Sequence, residues 1–158
     1  PMFNASLDEA AGEMVLKQYY HLGIAVDTEG GLIVPVLRNA DQKSLVELSK
    51  QLQELAERTR ARKIQAEELQ GGTFTISNQG GIGGAHFTPV INVPEVAILG
   101  IGRASLKPAV RQGKIEPRLL LPLGLSYDHR VIDGGNAARF IRDLVDAIEQ
   151  FPEAQVKG

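Results

Sequence analysis

The chain has 158 residues, 17 basic against 19 acidic side chains, a formal net charge of −2, and no cysteine. That length suits one domain with a real apolar core. The charge balance offers no basic block for nucleic acid or an anionic membrane, and the absence of Cys excludes a disulfide framework, a zinc–thiolate site and a Cys nucleophile.

No apolar run approaches the roughly 20 residues that span a bilayer. From Pro1 to Ser6 the chain moves toward a strand-like run within about a dozen residues. It reads like the middle of a domain, and an earlier segment of the same domain is expected. Met14–Tyr20 and Leu22–Val26 predict strands. Gly30-Gly31 marks a turn. Leu32, Ile33, Val34 and Val36 predict a third strand, and Pro35 places it at an edge or bulge. Ser44 followed by Glu47 is a capping box, and Leu45, Leu48, Leu52 and Leu55 recur at helical spacing as far as about Arg62. Ala66–Leu69 adds a turn, and Gly71-Gly72 stops it.

Thr73–Ser77 predicts a strand rich in β-branched and aromatic residues. Val96–Leu99 predicts a buried one. Further strands are expected at Ala109–Arg111 and Leu119–Leu125, with a turn at Gln112-Gly113. The last element is the clearest helix. Ala137, Phe140, Ile141, Leu144, Val145 and Ile148 share one face, Asp133 supplies the N-cap, and Pro152 ends it. The pattern is α/β, a mixed β-sheet with helices packed on it in a two-layer α+β sandwich.

The glycines do not make a phosphate site. Gly100-Ile101-Gly102 follows a strand but has Ser105 where a dinucleotide fingerprint needs a third glycine, and Pro108 blocks the following helix. Gly80–Gly84 lacks the Gly-Lys-Ser/Thr ending of a P-loop. His21, His86 and His129 have no metal-ligand spacing, so no metal is expected. His129 is the histidine best placed for chemistry. An apolar strand delivers it, a turn with paired glycines is expected after it, and a helix then begins. An imidazole near pKa ~6.5 suits proton transfer at neutral pH. The residues alone leave a structural histidine equally open.

Asp128-His129-Arg130-Val131-Ile132-Asp133-Gly134 resembles the His-x-x-x-Asp-Gly signature of the acyltransferase component of 2-oxo acid dehydrogenase complexes, shared with chloramphenicol acetyltransferase. Three further blocks are similar to that family and stand in its order: Gly31–Val36, Gly71–Asn78 and Pro89–Gly100. The likeness covers essentially the whole chain. It implies a chloramphenicol acetyltransferase-like fold and one catalytic domain over 1–158, lacking its N-terminal segment and carrying no lipoyl or peripheral-subunit-binding domain.

The resemblance also implies a chemistry. An acyl group, on this pattern acetyl, passes between dihydrolipoamide and coenzyme A. His129 is then the general base, the Ser77 hydroxyl steadies the oxyanion, and Asp133 supports the site, although simple helix capping explains Asp133 too. Coenzyme A is a substrate, and the lipoyl group rides on a separate domain. The expected assembly is a homotrimer with sites between chains, built into cubic or dodecahedral cores of about 24 or 60 chains. Expected partners are the 2-oxo acid decarboxylase and dihydrolipoamide dehydrogenase components, with no nucleic acid and no membrane. Branched-chain or succinyl specificity and a non-catalytic scaffold are the alternatives. The ending Phe151–Gly158 departs from the family's apolar tail, which bears on the larger core. Bacterial cytoplasm is the expected location, or the mitochondrial matrix in a eukaryote.

Overall fold

The computed structural model describes residues 1–152 and 154. Its first strands, β1 (Ala5–Asp8) and β2 (Glu13–Leu16), form an antiparallel hairpin. The strand expected over Met14–Tyr20 thus ends early, and β1 joins it. β3 (Leu22–Thr28) turns at Gly30-Gly31 into β4 (Gly31–Ile33). Gly31 has φ 108, a conformation that favours glycine. The Thr28 hydroxyl donates to the Gly31 carbonyl at 2.6 Å and accepts the Gly30 N–H. Pro35 then breaks the ladder as expected. β5 (Val36–Leu37) resumes pairing with β3, and the Pro35 carbonyl accepts the Ile24 N–H at 2.9 Å.

Helix α1 (Leu45–Arg60) starts where Ser44 and Glu47 exchange capping bonds. Those bonds hold the Glu47 carboxyl below its ordinary range. Leu55 and Thr59 are its buried positions, and the helix packs on β3 and β5. A 3₁₀ turn at Ala66–Leu69 follows, tied back by the Arg58–Glu68 ion pair at 2.5 Å. The chain then enters β6 (Phe74–Asn78), parallel to β3, which α1 makes possible as a crossover.

β7 (Ala97–Ile101) lies parallel to β6, and β10 (Leu123–Tyr127) antiparallel to β7. The main sheet therefore runs β10-β7-β6-β3-β4, with β5 also on β3. Its mixed character agrees with the sequence. β8 (Ser105–Arg111) and β9 (Lys114–Leu120) form a separate two-stranded ribbon closed at Gln112-Gly113, both at positive φ. The strand expected over Leu119–Leu125 is thus two strands in two sheets. Pro122 stands at the break, where its missing N–H cannot continue a ladder.

Helix α2 (Gly134–Glu149) begins at Asp133, whose side chain accepts the Asn136 N–H at 2.7 Å. Gly134 and Gly135 were expected in a turn and instead form the first residues of this helix. Phe140 stacks on Phe3 with centroids 4.2 Å apart and meets Phe74 at 5.9 Å. Beneath it Ala5, Val96, Ala97, Ile132 and Ala137 form the buried core. The terminal stretch noted at 151–158 lies mostly outside the described residues.

Candidate active site

Ser77 sits on β6, between Ala25 of β3 and Gly100 of β7. Side chains alternate along a strand, so Thr75 and Ser77 share one face while Phe74 and Ile76 take the other. Phe74 faces α2 through Phe140. The Thr75–Ser77 face is instead roofed by residues 87–92. Between roof and sheet lies a cavity of about 340 Å³, lined by Thr75, Ser77, Gln79, Phe87, Val90 and Asn92 among others. Ser77 is 9% exposed.

His129 lies beyond the other end of the sheet, in the connection from β10 to α2. The backbone there is tightly pinned. The Asp128 N–H donates to the Val96 carbonyl at 2.8 Å, and the Asp128 carbonyl accepts the N–H groups of Val131 and Ile132. Ile132, fully buried, anchors the connection in the core. The Asp128 carboxylate accepts the Arg130 N–H and its guanidinium, which also reaches Glu9 at 2.8 Å in the turn between β1 and β2. The Arg130 guanidinium holds the Asp128 carboxyl below the usual range, and Arg130 is pushed up in return by Asp128 first and Glu9 second. The His129 ring is exposed, tilted against Tyr127 with centroids 5.7 Å apart.

Asp133 joins His129 in this connection. Both its carboxylate oxygens are engaged at the helix start, by the Asn136 N–H and the Asn136 side-chain amide, each at 2.7 Å. Its visible work is therefore capping, which fixes where α2 begins relative to His129. His86, left open in the sequence, lines separate hollows beside Pro122 and Leu123. Among the described residues, no group of three or more His, Cys, Asp or Glu side chains is arranged to hold a metal.

Ser77 and His129 do not meet within one chain. The register runs from Ser77 to Gly100 to Gly124 across three strands. Two strand spacings and the remaining length of β10 separate the two residues by on the order of 15 Å. His129 takes no part in the Ser77 cavity. A general base and an oxyanion donor serving one carbonyl need to lie within a few ångströms of it. If both serve one reaction, the histidine must come from another copy.

The family model for 2-oxoacid dehydrogenases acyltransferase (catalytic domain) matches residues 1–156. The chain belongs to this acyltransferase family. It is 50% identical over 144 residues to the dihydrolipoyllysine-residue acetyltransferase component of the pyruvate dehydrogenase complex of Haemophilus influenzae, covering 91% of this chain and 25% of that protein. The chain thus spans from about a quarter to just over a third of the length of the curated relatives it matches. Among solved structures, one concerns a serine, a histidine and an asparagine in the catalytic mechanism of Azotobacter vinelandii dihydrolipoamide acetyltransferase. It superposes with a TM-score of 0.91 at 53% identity, over 99% of this chain and 64% of that one. The cubic core of the pyruvate dehydrogenase multienzyme complex gives 0.92 at 52%, with the same coverage. Chloramphenicol acetyltransferase, at 16% identity and a TM-score of 0.58 over 92% of this chain and 69% of that one, shares the fold.

Proposed function

We propose that this chain carries the acyl-transfer centre of a dihydrolipoamide acetyltransferase, with Ser77 from one chain and His129 from its neighbour in a trimer completing each site. The carrying observation is the separation itself. Ser77 lines a cavity with no basic side chain, and His129 stands exposed outside that cavity on a connection held by backbone hydrogen bonds. The serine, histidine and asparagine named for the Azotobacter vinelandii enzyme have the same mutual spacing as Ser77, His129 and Asp133, which supports these roles. Assembly into a larger core is supported by the cubic core described for the pyruvate dehydrogenase relative, and trimers as its unit, with decarboxylase and dihydrolipoamide dehydrogenase partners, complete the same reading.

The chemistry follows from thiol acidity. A thiol near pKa ~8.5 is mostly protonated at pH 7. His129 takes the proton of the dihydrolipoamide thiol, and the sulfur attacks the thioester carbon of acetyl-coenzyme A. A carbon–sulfur bond forms, the carbonyl electron pair moves to oxygen, and the Ser77 hydroxyl donates to that oxyanion. Collapse restores the carbonyl and breaks the bond to the coenzyme A sulfur, which leaves with the proton from His129. The reverse direction uses the same groups. No acyl-enzyme is required.

The test is acetyl transfer from acetyl-coenzyme A to dihydrolipoamide by the full-length protein, with mass by light scattering on the same sample. Trimers or multiples of trimers with activity, abolished in His129→Ala, are expected. An active monomer, or a His129→Ala variant with full activity, overturns the reading.

A further inference from the structure

The His129 ring is exposed, with Tyr127 as a tilted neighbour on one side. A base that serves a thiol in another chain's cavity must already point there, because a misplacement of about 1 Å can cost about 10² in rate. The two residues that flank His129 are held in a way that fixes such a direction.

Asp128 and Arg130 close a ring over the backbone of His129. Asp128 Oδ1 accepts the Arg130 N–H at 3.0 Å, so the carboxylate itself makes the turn. Arg130 Nε donates to both carboxylate oxygens, at 3.0 and 3.1 Å, and Nη2 donates to Oδ2 at 2.7 Å. Pairing a guanidinium edge with both oxygens fixes orientation as well as distance. The remaining nitrogen, Nη1, donates to Glu9 at 2.8 Å, 121 residues away along the chain. Glu9 stands in the turn between β1 and β2. That turn is fixed in its own right, since the Asp8 carboxylate accepts the N–H groups of Ala10 and Ala11, each at 3.0 Å.

The hairpin and the His129 connection meet the main sheet at adjacent residues. Ser6 of β1 forms an antiparallel bridge with Glu95, and the Asp128 N–H donates to the Val96 carbonyl. Arg130 closes the third side, from connection to hairpin. Arg130 and Glu9 are exposed, and a lone exposed ion pair adds little stability. The Asp128 side chain is only 18% exposed. A guanidinium shared between this carboxylate and Glu9 chiefly adds orientation.

We propose that Arg130 is a positioning residue, whose fork on Asp128 and reach to Glu9 fix the 128–130 backbone so that the His129 imidazole points to the thiol in the neighbouring chain's Ser77 cavity. The proposal rests on the acyl-transfer reading and adds to it a residue that acts through the base. A lysine at 130 keeps the charge, but an ammonium is a compact point donor that cannot span both Asp128 oxygens and still reach Glu9.

Variants of the full-length assembled protein test it in the acetyl-transfer assay. Arg130→Lys should lower kcat about tenfold or more, with KM for acetyl-coenzyme A and for dihydrolipoamide within about twofold of wild type. Glu9→Gln leaves the Asp128 fork intact and should lower kcat by a smaller factor, again without a change in KM. In the His129→Ala background, Arg130→Lys should take nothing further from the residual rate, because the two residues act as one unit. Damage to the fold or the cavity would lower that rate too. Crystal structures of wild type and Arg130→Lys should show the His129 Cα–Cβ bond turned to a new direction in the variant. Wild-type kcat in either single variant, a further loss in the His129→Ala background, or an unmoved His129 overturns the positioning role. Glu9→Gln alone decides the kinetic question if Arg130→Lys does not assemble. If wild type itself transfers no acetyl group, the functional reading fails, and the two crystal structures still decide whether Arg130 sets the direction of His129.

Discussion

Replacing Ile132 with Ala should both destabilise the fold and loosen the connection that carries His129. Ile132 is fully buried, and its buried neighbours are Ala5, Val96, Ala97 and Ala137. Three of those four are alanines, too short to fill the space left behind, and the larger Met2, Phe3, Phe74 and Leu125 pack against the cluster from its margin. The cost therefore falls within the ordinary range for such truncations, about 2–5 kcal/mol. Ile132→Val, which removes one methylene, should cost about 0.5–1.5 kcal/mol. Denaturant unfolding of both variants at one protein concentration reads the difference, the fixed concentration being needed because association adds to apparent stability. A loss below about 1 kcal/mol in Ile132→Ala would show that the core beneath the His129 connection is not packed as described.

Ser77→Ala should lower kcat for acetyl transfer by about 10²–10³ with the fold intact by circular dichroism. Asp133→Ala should cost about 1 kcal/mol as the loss of an N-cap, and Asp133→Asn much less, measured by thermal unfolding. Asp128, held low by Arg130, contributes stability that is present above its unfolded pKa and is lost as pH falls through its lower folded value. Arg130→Met should flatten that acid-side loss in a pH series of unfolding curves. Glu95 carries the opposite sign. Its folded pKa is raised, so its contribution is complete below the unfolded value and fades as pH rises through the folded one. Glu95→Gln should therefore gain on wild type as pH increases.

Local signals in the sequence translated well into structure. Ser44 with Glu47, Asp133 before α2, Gln112-Gly113 and Pro35 each act through bonds within a few residues, so their positions alone predict the helix starts, the hairpin turn and the strand break. Non-local pairings did not show. β1 pairs with β2, and the span expected as a single strand at 119–125 divides between the ribbon and the main sheet, because partners far along the chain decide both. His129 and Ser77 stood out by their motifs, yet nothing in a linear sequence says that they sit at opposite ends of one sheet. Glu95, a lone glutamate between Pro94 and an apolar run, looks like a surface charge in the sequence yet is buried in the fold. Its burial depends on Gly23 and Gly72, each lacking a Cβ where the carboxyl lies.

The most direct test of a site shared between two chains is subunit mixing. His129→Ala and Ser77→Ala proteins, each with at most about one hundredth of wild-type activity alone, are unfolded together in equal amounts and refolded. In a cyclic trimer an intact site forms wherever a chain with native His129 faces one with native Ser77, so about one quarter of wild-type activity should return. No recovery above the separately refolded variants, with mixed trimers confirmed by mass, would contradict a site built from two chains.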